Sequence, residues 1–115
     1  MARILLVEDQ QDVRLLLQHV LLGSGYEVDV TETVAQARLR LDAASYELVI
    51  ADGRLADGSG IAIADAAKER GMKTLIVTGY AFQDDTHDLL RHEYLLKPVR
   101  PSELLLTIRR LVGEP

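Results

Sequence analysis

The chain has 115 residues, of which 48% are hydrophobic and 27% charged, and its net charge at pH 7 is −5. This composition predicts a globular domain, and the acidic balance argues against a nucleic-acid-binding surface. The absence of cysteine excludes disulfides and thiolate sites and is compatible with a cytoplasmic location. No apolar segment is long enough for a membrane span, and we expect neither a signal peptide nor a following output domain.

Short apolar segments alternate with stretches of helical periodicity, which is typical of α/β proteins with a mostly parallel sheet. The first predicted strand covers residues 4–7. The helix after it carries apolar residues at helical spacing, namely Val13, Leu16, Leu17, Val20 and Leu21. After the glycines near residue 24, a strand is predicted over 27–30. Thr33 and Gln36 form the pattern of a capping box for a helix that runs to Leu41.

The third predicted strand, residues 48–51, is the most continuous apolar segment and is therefore expected at the centre of the sheet. A helix is predicted to begin at Ser59 or Gly60 and to end near Arg70. A fourth strand is predicted over residues 74–77.

The remaining elements are a short helix, a strand and a final helix. The short helix, over residues 84–91, has the least regular pattern. The fifth strand is predicted over 94–96, and Pro101 suits the first turn of the last helix. The chain shows no repeat and no linker, so we interpret residues 1–115 as one domain of five β/α units.

Polar side chains follow the predicted strands where these end: Glu8, Asp9, Asp52, Thr78 and Lys97. In doubly wound sheets, ligands bind at the carboxyl ends of the strands. Three neighbouring carboxylates would repel one another, and a hard cation such as Mg²⁺ would relieve that repulsion. Taken singly, each residue also has an ordinary interpretation as a solvated acid, a surface lysine or a strand threonine.

Four motifs occur in chain order: Leu5-Leu6-Val7-Glu8-Asp9, Leu48-Val49-Ile50-Ala51-Asp52 with Gly60 downstream, Leu75-Ile76-Val77-Thr78-Gly79, and Tyr94-Leu95-Leu96-Lys97-Pro98. Together they resemble the receiver domain of bacterial two-component response regulators, over essentially the whole chain. The resemblance implies a flavodoxin-like (βα)5 doubly wound fold. Its five-stranded parallel sheet would have the strand order 2-1-3-4-5.

By this resemblance, Asp52 accepts a phosphoryl group from a sensor histidine kinase or a phosphotransfer protein. Mg²⁺ would be held by Glu8, Asp9 and Asp52, together with the backbone carbonyl of Arg54. The physical chemistry agrees, because an aspartate can attack phosphorus in line while the cation neutralises the phosphoryl oxygens.

The resemblance also implies a switch. Lys97 would pair with one phosphoryl oxygen, and Thr78 would move to bond another. Tyr94 corresponds to the aromatic switch of the family, whose ring turns inward when the threonine shifts. Phosphorylation would then change a protein-binding surface made by the fourth helix, the fifth strand and the fifth helix.

Several residues depart from the family pattern near the acceptor. Glu8 stands where the family more often has aspartate, and Ala56 stands where many members have proline, so we expect a looser loop there. Arg54 and Tyr80 occupy positions that tune the lifetime of the phosphoryl group in the family. Arg54 could shield that group, pair with Glu8 or be solvated.

The largest departure lies before the fifth strand, where Arg91-His92-Glu93 replaces the usual stretch of small residues. We therefore expect the fourth helix to be shortened or irregular. The histidines His19, His87 and His92 have no ligand spacing, so solvated or capping roles are expected for them.

The leading hypothesis is a stand-alone phosphorylation switch that catalyses only its own phosphorylation and dephosphorylation. Its partners would be a kinase or phosphotransfer protein and an unidentified target protein, without nucleic acid or membrane, and a homodimer is compatible with it. One alternative is a degenerate receiver that binds partners without phosphorylation. Another is an aspartate-nucleophile phosphohydrolase, which would need an acid where Arg54 stands.

Overall fold

The computed structural model describes residues 2–79 and 92–115. Its strands are β1 (Arg3–Val7), β2 (Glu27–Thr31), β3 (Leu48–Asp52), β4 (Arg54–Leu55), β5 (Gly58–Ser59), β6 (Lys73–Thr78) and β7 (Glu93–Leu96). Five of them form a parallel sheet in the order β2-β1-β3-β6-β7. Since β4 and β5 form a separate pair, this is the predicted order 2-1-3-4-5, and the flavodoxin-like fold is confirmed.

The described helices are α1 (Gln11–Gly23), α2 (Val34–Ala43), α3 (Gly60–Glu69) and α4 (Pro101–Val112). None of them combines the length and apolar character that crossing a bilayer requires. The short helix predicted over residues 84–91 lies outside the described residues.

The helices cover both faces of the sheet. Successive side chains of a strand point to opposite faces, so each strand contributes to two cores. One core joins the sheet to α2 and α3, and contains Leu5, Val7, Val49, Ala51, Ile76, Ala37, Leu41, Ile63, Ala64 and Ala67. The other joins it to α1 and α4, and contains Ile4, Leu6, Leu48, Ile50, Leu75, Leu17, Leu21, Leu104 and Ile108. Every residue of β3 is buried, as expected for the central strand.

The helix starts follow the local sequence. The Thr33 hydroxyl accepts the N–H of Gln36 at 3.1 Å, which caps α2 as predicted. The Gln36 amide oxygen accepts the N–H of Glu32 at 2.9 Å, so the return bond of the capping box falls one residue early. Helix α3 begins at Gly60, one of the two predicted starts, and the Ser59 hydroxyl caps it. Pro101 is the first residue of α4, as predicted.

The predicted core face of α1 is wrong at Leu16. Leu17 and Leu21 pack on the sheet, whereas Leu16 is 51% exposed. Neighbouring residues of a helix are rotated by about 100°, so Leu16 lies at the margin of the face that Leu17 and Leu21 place on the sheet. Leu16 instead lines a groove beside Pro98 and Val99, at the edge of α1.

The loop after Asp52, which the sequence predicts to be looser, contains two short strands. Strands β4 and β5 pair antiparallel across this loop, with Leu55 opposite Gly58. Leu55 is buried in the core, and Gly58 has a φ of +152°, which side chains other than hydrogen rarely allow. A buried leucine and a glycine turn therefore order the loop without a proline at position 56.

Gly60 provides a test of how closely α3 approaches the end of β3. A Cβ atom added to Gly60 would lie 1.7 Å from the backbone oxygen of Asp52. We expect Gly60→Ala to lower the free energy of unfolding by about 1–3 kcal/mol or more, because the added methyl group forces α3 and β3 apart. Urea denaturation measures this change.

The matched control is Gly23→Ala at the end of α1, where an added Cβ meets no atom within 4 Å. This control should change the free energy of unfolding by less than about 1 kcal/mol. Equal stability of the two alanine variants would contradict the close approach of α3 to β3.

Candidate functional site

Three strand ends meet at one edge of the sheet through a single ammonium group. Glu8 follows β1, Asp52 ends β3, and Lys97 follows β7. Lys97 Nζ donates to Glu8 Oε1 at 2.8 Å and to Asp52 Oδ2 at 3.0 Å. It also lies 3.3 Å from Gln10 Oε1. Because β1, β3, β6 and β7 run parallel in register, residues far apart in sequence end at the same level.

The two carboxylates that contact Lys97 are withdrawn from solvent, with Glu8 1% and Asp52 6% exposed. Burial raises the pKa of Glu8 from 4.5 to about 7; the hydrogen bond from Lys97 opposes this shift, and the charge of Asp52 adds to it. Burial alone would lower the pKa of Lys97, but its bonds with Glu8 and Asp52 outweigh burial and raise it. The cluster thus holds more negative charge than its one lysine neutralises.

Asp9 completes an acidic group next to this ion pair. One carboxylate oxygen from each of Glu8, Asp9 and Asp52 lies within 4.8 Å of the other two. Asp9 is partly exposed and lines an open cleft beside Asp52. Carboxylate oxygens at a solvent-accessible cleft are the donors that Mg²⁺ prefers, since this ion keeps several waters. The donor set therefore fits the magnesium site that the sequence predicts.

Arg54 lies on β4 at the same cleft. Its backbone N–H donates to Asp52 Oδ1 at 3.2 Å. The two oxygens of Asp52 are thus held differently, Oδ1 by this N–H and Oδ2 by Lys97. The side chain of Arg54 is exposed.

Thr78 ends β6 and is buried next to Gly53. A Cβ atom added to Gly53 would lie 2.8 Å from Thr78 Oγ1, so the threonine side chain packs directly on the glycine backbone. Tyr94, on β7, is partly buried and packs against the core formed with α2 and α3. Tyr80 lies outside the described residues.

The sequence interpretation missed Arg14. Its Nη1 atom donates to the backbone oxygens of Glu8 at 3.1 Å and Asp9 at 3.4 Å. Its Nη2 atom lies 3.4 Å from Glu32 Oε1. The signal was present in the sequence, because Arg14 precedes the buried Leu17 by three residues and so shares its face of α1.

The expected solvated role of His92 is wrong. The His92 side chain is buried, with Nδ1 2.7 Å from Thr74 Oγ1 and Nε2 2.7 Å from Asp65 Oδ1. It therefore joins β6 and α3 at the start of β7, where a buried imidazole needs partners for both nitrogens. His19 is exposed, as expected, and His87 lies outside the described residues.

Comparison with known proteins assigns the chain to a family. The family model of the response regulator receiver domain matches residues 4–109. The chain belongs to this family.

Two solved structures illustrate the likeness. A CheY-like response regulator receiver domain protein from Methanospirillum hungatei JF-1 is 30% identical, with a TM-score of 0.89 over 96% of this chain and 92% of that one. The response regulator TrrA from Thermotoga maritima, solved in complex with Mg²⁺-BeF, is also 30% identical, with a TM-score of 0.87 over 96% of this chain and 99% of that one.

A curated relative is the alginate biosynthesis transcriptional regulatory protein AlgB of Pseudomonas putida. It is 29% identical over 90% of this chain, and the match covers 24% of AlgB. The chain spans half or less of the length of the first curated relatives that it matches.

The raised pKa of Glu8 predicts how stability depends on pH in the metal-free protein. Between pH 4.5 and about 7 the unfolded chain loses the Glu8 proton while the folded protein keeps it. The contribution of Glu8 to stability is therefore greatest below pH 4.5 and falls as the pH rises to about 7. We expect this loss to reach at most about 3 kcal/mol.

Urea unfolding of wild type and Glu8→Gln in a chelator, at about pH 5 and about pH 8, measures this effect. The glutamine variant removes the titrating group, so wild type should lose stability relative to it as the pH rises. A parallel pH dependence in the two proteins would show that Glu8 titrates near its ordinary value.

Proposed function

We propose that residues 1–115 form a receiver domain that accepts a phosphoryl group on Asp52 from a sensor histidine kinase or a phosphotransfer protein. The observation that carries this proposal is the position of Lys97 Nζ between the buried carboxylates of Glu8 and Asp52, beside Asp9. A buried, hydrogen-bonded acid at an open cleft is a suitable nucleophile. The TrrA complex with Mg²⁺-BeF supports the assignment by relationship.

In the proposed reaction, an Asp52 carboxylate oxygen attacks phosphorus in line with the leaving group. The new O–P bond forms as the P–N bond of phosphohistidine breaks, and its electron pair goes to the leaving imidazole nitrogen, which takes a proton. Lys97 neutralises negative charge on a phosphoryl oxygen, and the Arg54 N–H keeps Asp52 oriented.

Mg²⁺ supplies charge neutralisation on the phosphoryl oxygens when it is bound. We propose that Glu8, Asp9 and Asp52 hold it, together with the backbone carbonyl of Arg54. The oxygen-rich donor set supports this choice of cation.

The proposed output is a change in a protein-binding surface. Lys97 would exchange its bond with Asp52 for one with the phosphoryl group, and Thr78 would move toward the same group. Movement of Thr78 would open space for Tyr94, and Arg54 and Tyr80 would tune the lifetime of the phosphoryl group. The partner would be a target protein or a second copy of the chain.

Incubation with acetyl phosphate and Mg²⁺, followed by intact-mass measurement, tests the proposal. Wild type should gain about 80 Da, the mass of one phosphoryl group. Asp52→Asn should gain nothing, because the amide is a poor nucleophile, and omission of Mg²⁺ should greatly reduce the adduct. Asp12→Asn, which changes an exposed acid in the first turn of α1, is the matched control and should react like wild type.

The remaining outcomes separate the alternatives. Absence of an adduct together with steady phosphate release from varied monoesters would indicate a phosphohydrolase. Absence of both adduct and turnover would indicate a degenerate receiver. An adduct that persists in Asp52→Asn would place the acceptor elsewhere in the chain.

A further inference from the structure

The turn between β4 and β5 is tied to a helix other than the one that follows it. Asp57 lies in this turn, and its Oδ1 and Oδ2 atoms accept the N–H groups of Val34 at 2.8 Å and Ala35 at 3.2 Å. These N–H groups belong to the first turn of α2. Asp57 therefore caps α2 from a distance of more than twenty residues in sequence, together with the local cap.

Thr33 and Asp57 accept different backbone N–H groups in the first turn of α2. Thr33 takes the N–H of Gln36, which leaves the N–H groups of Val34 and Ala35 for Asp57. A carboxylate at this position is also stabilised by the positive end of the helix dipole. In agreement, the hydrogen bond from Val34 is the main cause that lowers the pKa of Asp57.

The turn between β4 and β5 is also connected to Asp52, the proposed phosphoryl acceptor. Leu55 and Gly58 pair across the hairpin, and the preceding residue, Arg54, donates its N–H to Asp52 Oδ1. At the other side, a Cβ added to Gly58 would lie 3.3 Å from a Val34 methyl group, so the turn packs closely on α2. The hairpin is thus held at one end by α2 and at the other by Asp52.

The loop after β1, which carries Glu8 and Asp9, is also linked to the start of α2. Arg14 donates to the backbone oxygens of Glu8 and Asp9, and it also contacts Glu32. Glu32 immediately precedes Thr33, the N-cap of α2. The start of α2 is therefore a common support for both acid-bearing loops.

We propose that Asp57 is a positioning residue for the magnesium and phosphoryl site, which it supports by fixing the hairpin that carries Arg54 to the start of α2. This inference rests on the proposed function, because it concerns the same site. Residues that support metal ligands from outside commonly change metal affinity by 10–100-fold when they are lost. Asp57 would act through the backbone carbonyl of Arg54, which is one of several proposed ligands. We therefore expect loss of Asp57 to weaken Mg²⁺ binding about tenfold.

The test compares Asp57→Ala with Asp57→Asn. Both variants lose the same charge, but the amide oxygen of asparagine can still accept one of the two N–H groups that Asp57 holds. The matched control is Asp42→Ala, which removes an exposed acid of α2 that pairs with Arg70 at 2.7 Å. Two measurements are made: Mg²⁺ affinity by calorimetry, and amide hydrogen exchange of the metal-free protein by NMR.

We expect Asp57→Ala to bind Mg²⁺ about tenfold more weakly, Asp57→Asn to recover part of this loss, and Asp42→Ala to match wild type. In the metal-free protein, the amides of Val34, Ala35 and Arg54 should exchange faster in Asp57→Ala than in wild type, whereas Asp57→Asn should still protect one of the Val34 and Ala35 amides. If Asp57→Ala does not fold, a fully wild-type affinity and exchange pattern in Asp57→Ser, whose shorter side chain cannot bridge both N–H groups, would overturn the inference.

Two other outcomes would overturn it in different ways. A lower thermal midpoint in Asp57→Ala with unchanged Mg²⁺ affinity would make Asp57 a purely stabilising cap. Equal weakening in Asp57→Ala and Asp57→Asn would show that only its charge matters. If wild type itself bound no Mg²⁺, the proposed function would fail together with the inference.

Discussion

The structure depends on one ammonium group placed between two buried carboxylates. Burying a carboxylate without a partner costs several kcal/mol, and Lys97 offsets much of this cost by reaching both Glu8 and Asp52. The contact joins residues 89 positions apart and fixes the end of β7 against the ends of β1 and β3. One lysine does not neutralise three acids, however. The excess negative charge fits the cation site that the sequence predicts.

The rest of the fold keeps this cluster at one edge of the sheet. Strands buried on both faces hold their register firmly, because a shift by one residue would move every side chain to the wrong core. Gly60 lets α3 begin against the backbone of Asp52, and the β4–β5 hairpin closes the other side of the cleft. The start of α2 then supports both acid-bearing loops through Asp57 and Arg14. Packed elements therefore surround the cluster of Glu8, Asp52 and Lys97.

Much of the fold could be predicted because its signals are local. The apolar segment that became β3, the cap at Thr33, the start of α3 near Gly60 and Pro101 at the start of α4 are all visible in short stretches of sequence. The meeting of the polar strand ends followed from the α/β pattern and from the family resemblance. Contacts between distant loops were not predictable in this way. The cap of α2 by Asp57, the burial of His92 between Thr74 and Asp65, and the exposure of Leu16 all depend on how elements pack, which periodicity does not specify.

A crystal structure of the protein with Mg²⁺ and beryllium fluoride tests the central claim most directly. If the Lys97 cluster is a phosphoryl site, beryllium fluoride will be bonded to a carboxylate oxygen of Asp52, and Mg²⁺ will be ligated by Glu8, Asp9 and Asp52. Lys97 Nζ will then contact a fluorine atom instead of Asp52 Oδ2, and Thr78 will have moved toward the same group. An unmodified Asp52 at saturating ligand, with Lys97 still bridging Glu8 and Asp52, would contradict the account.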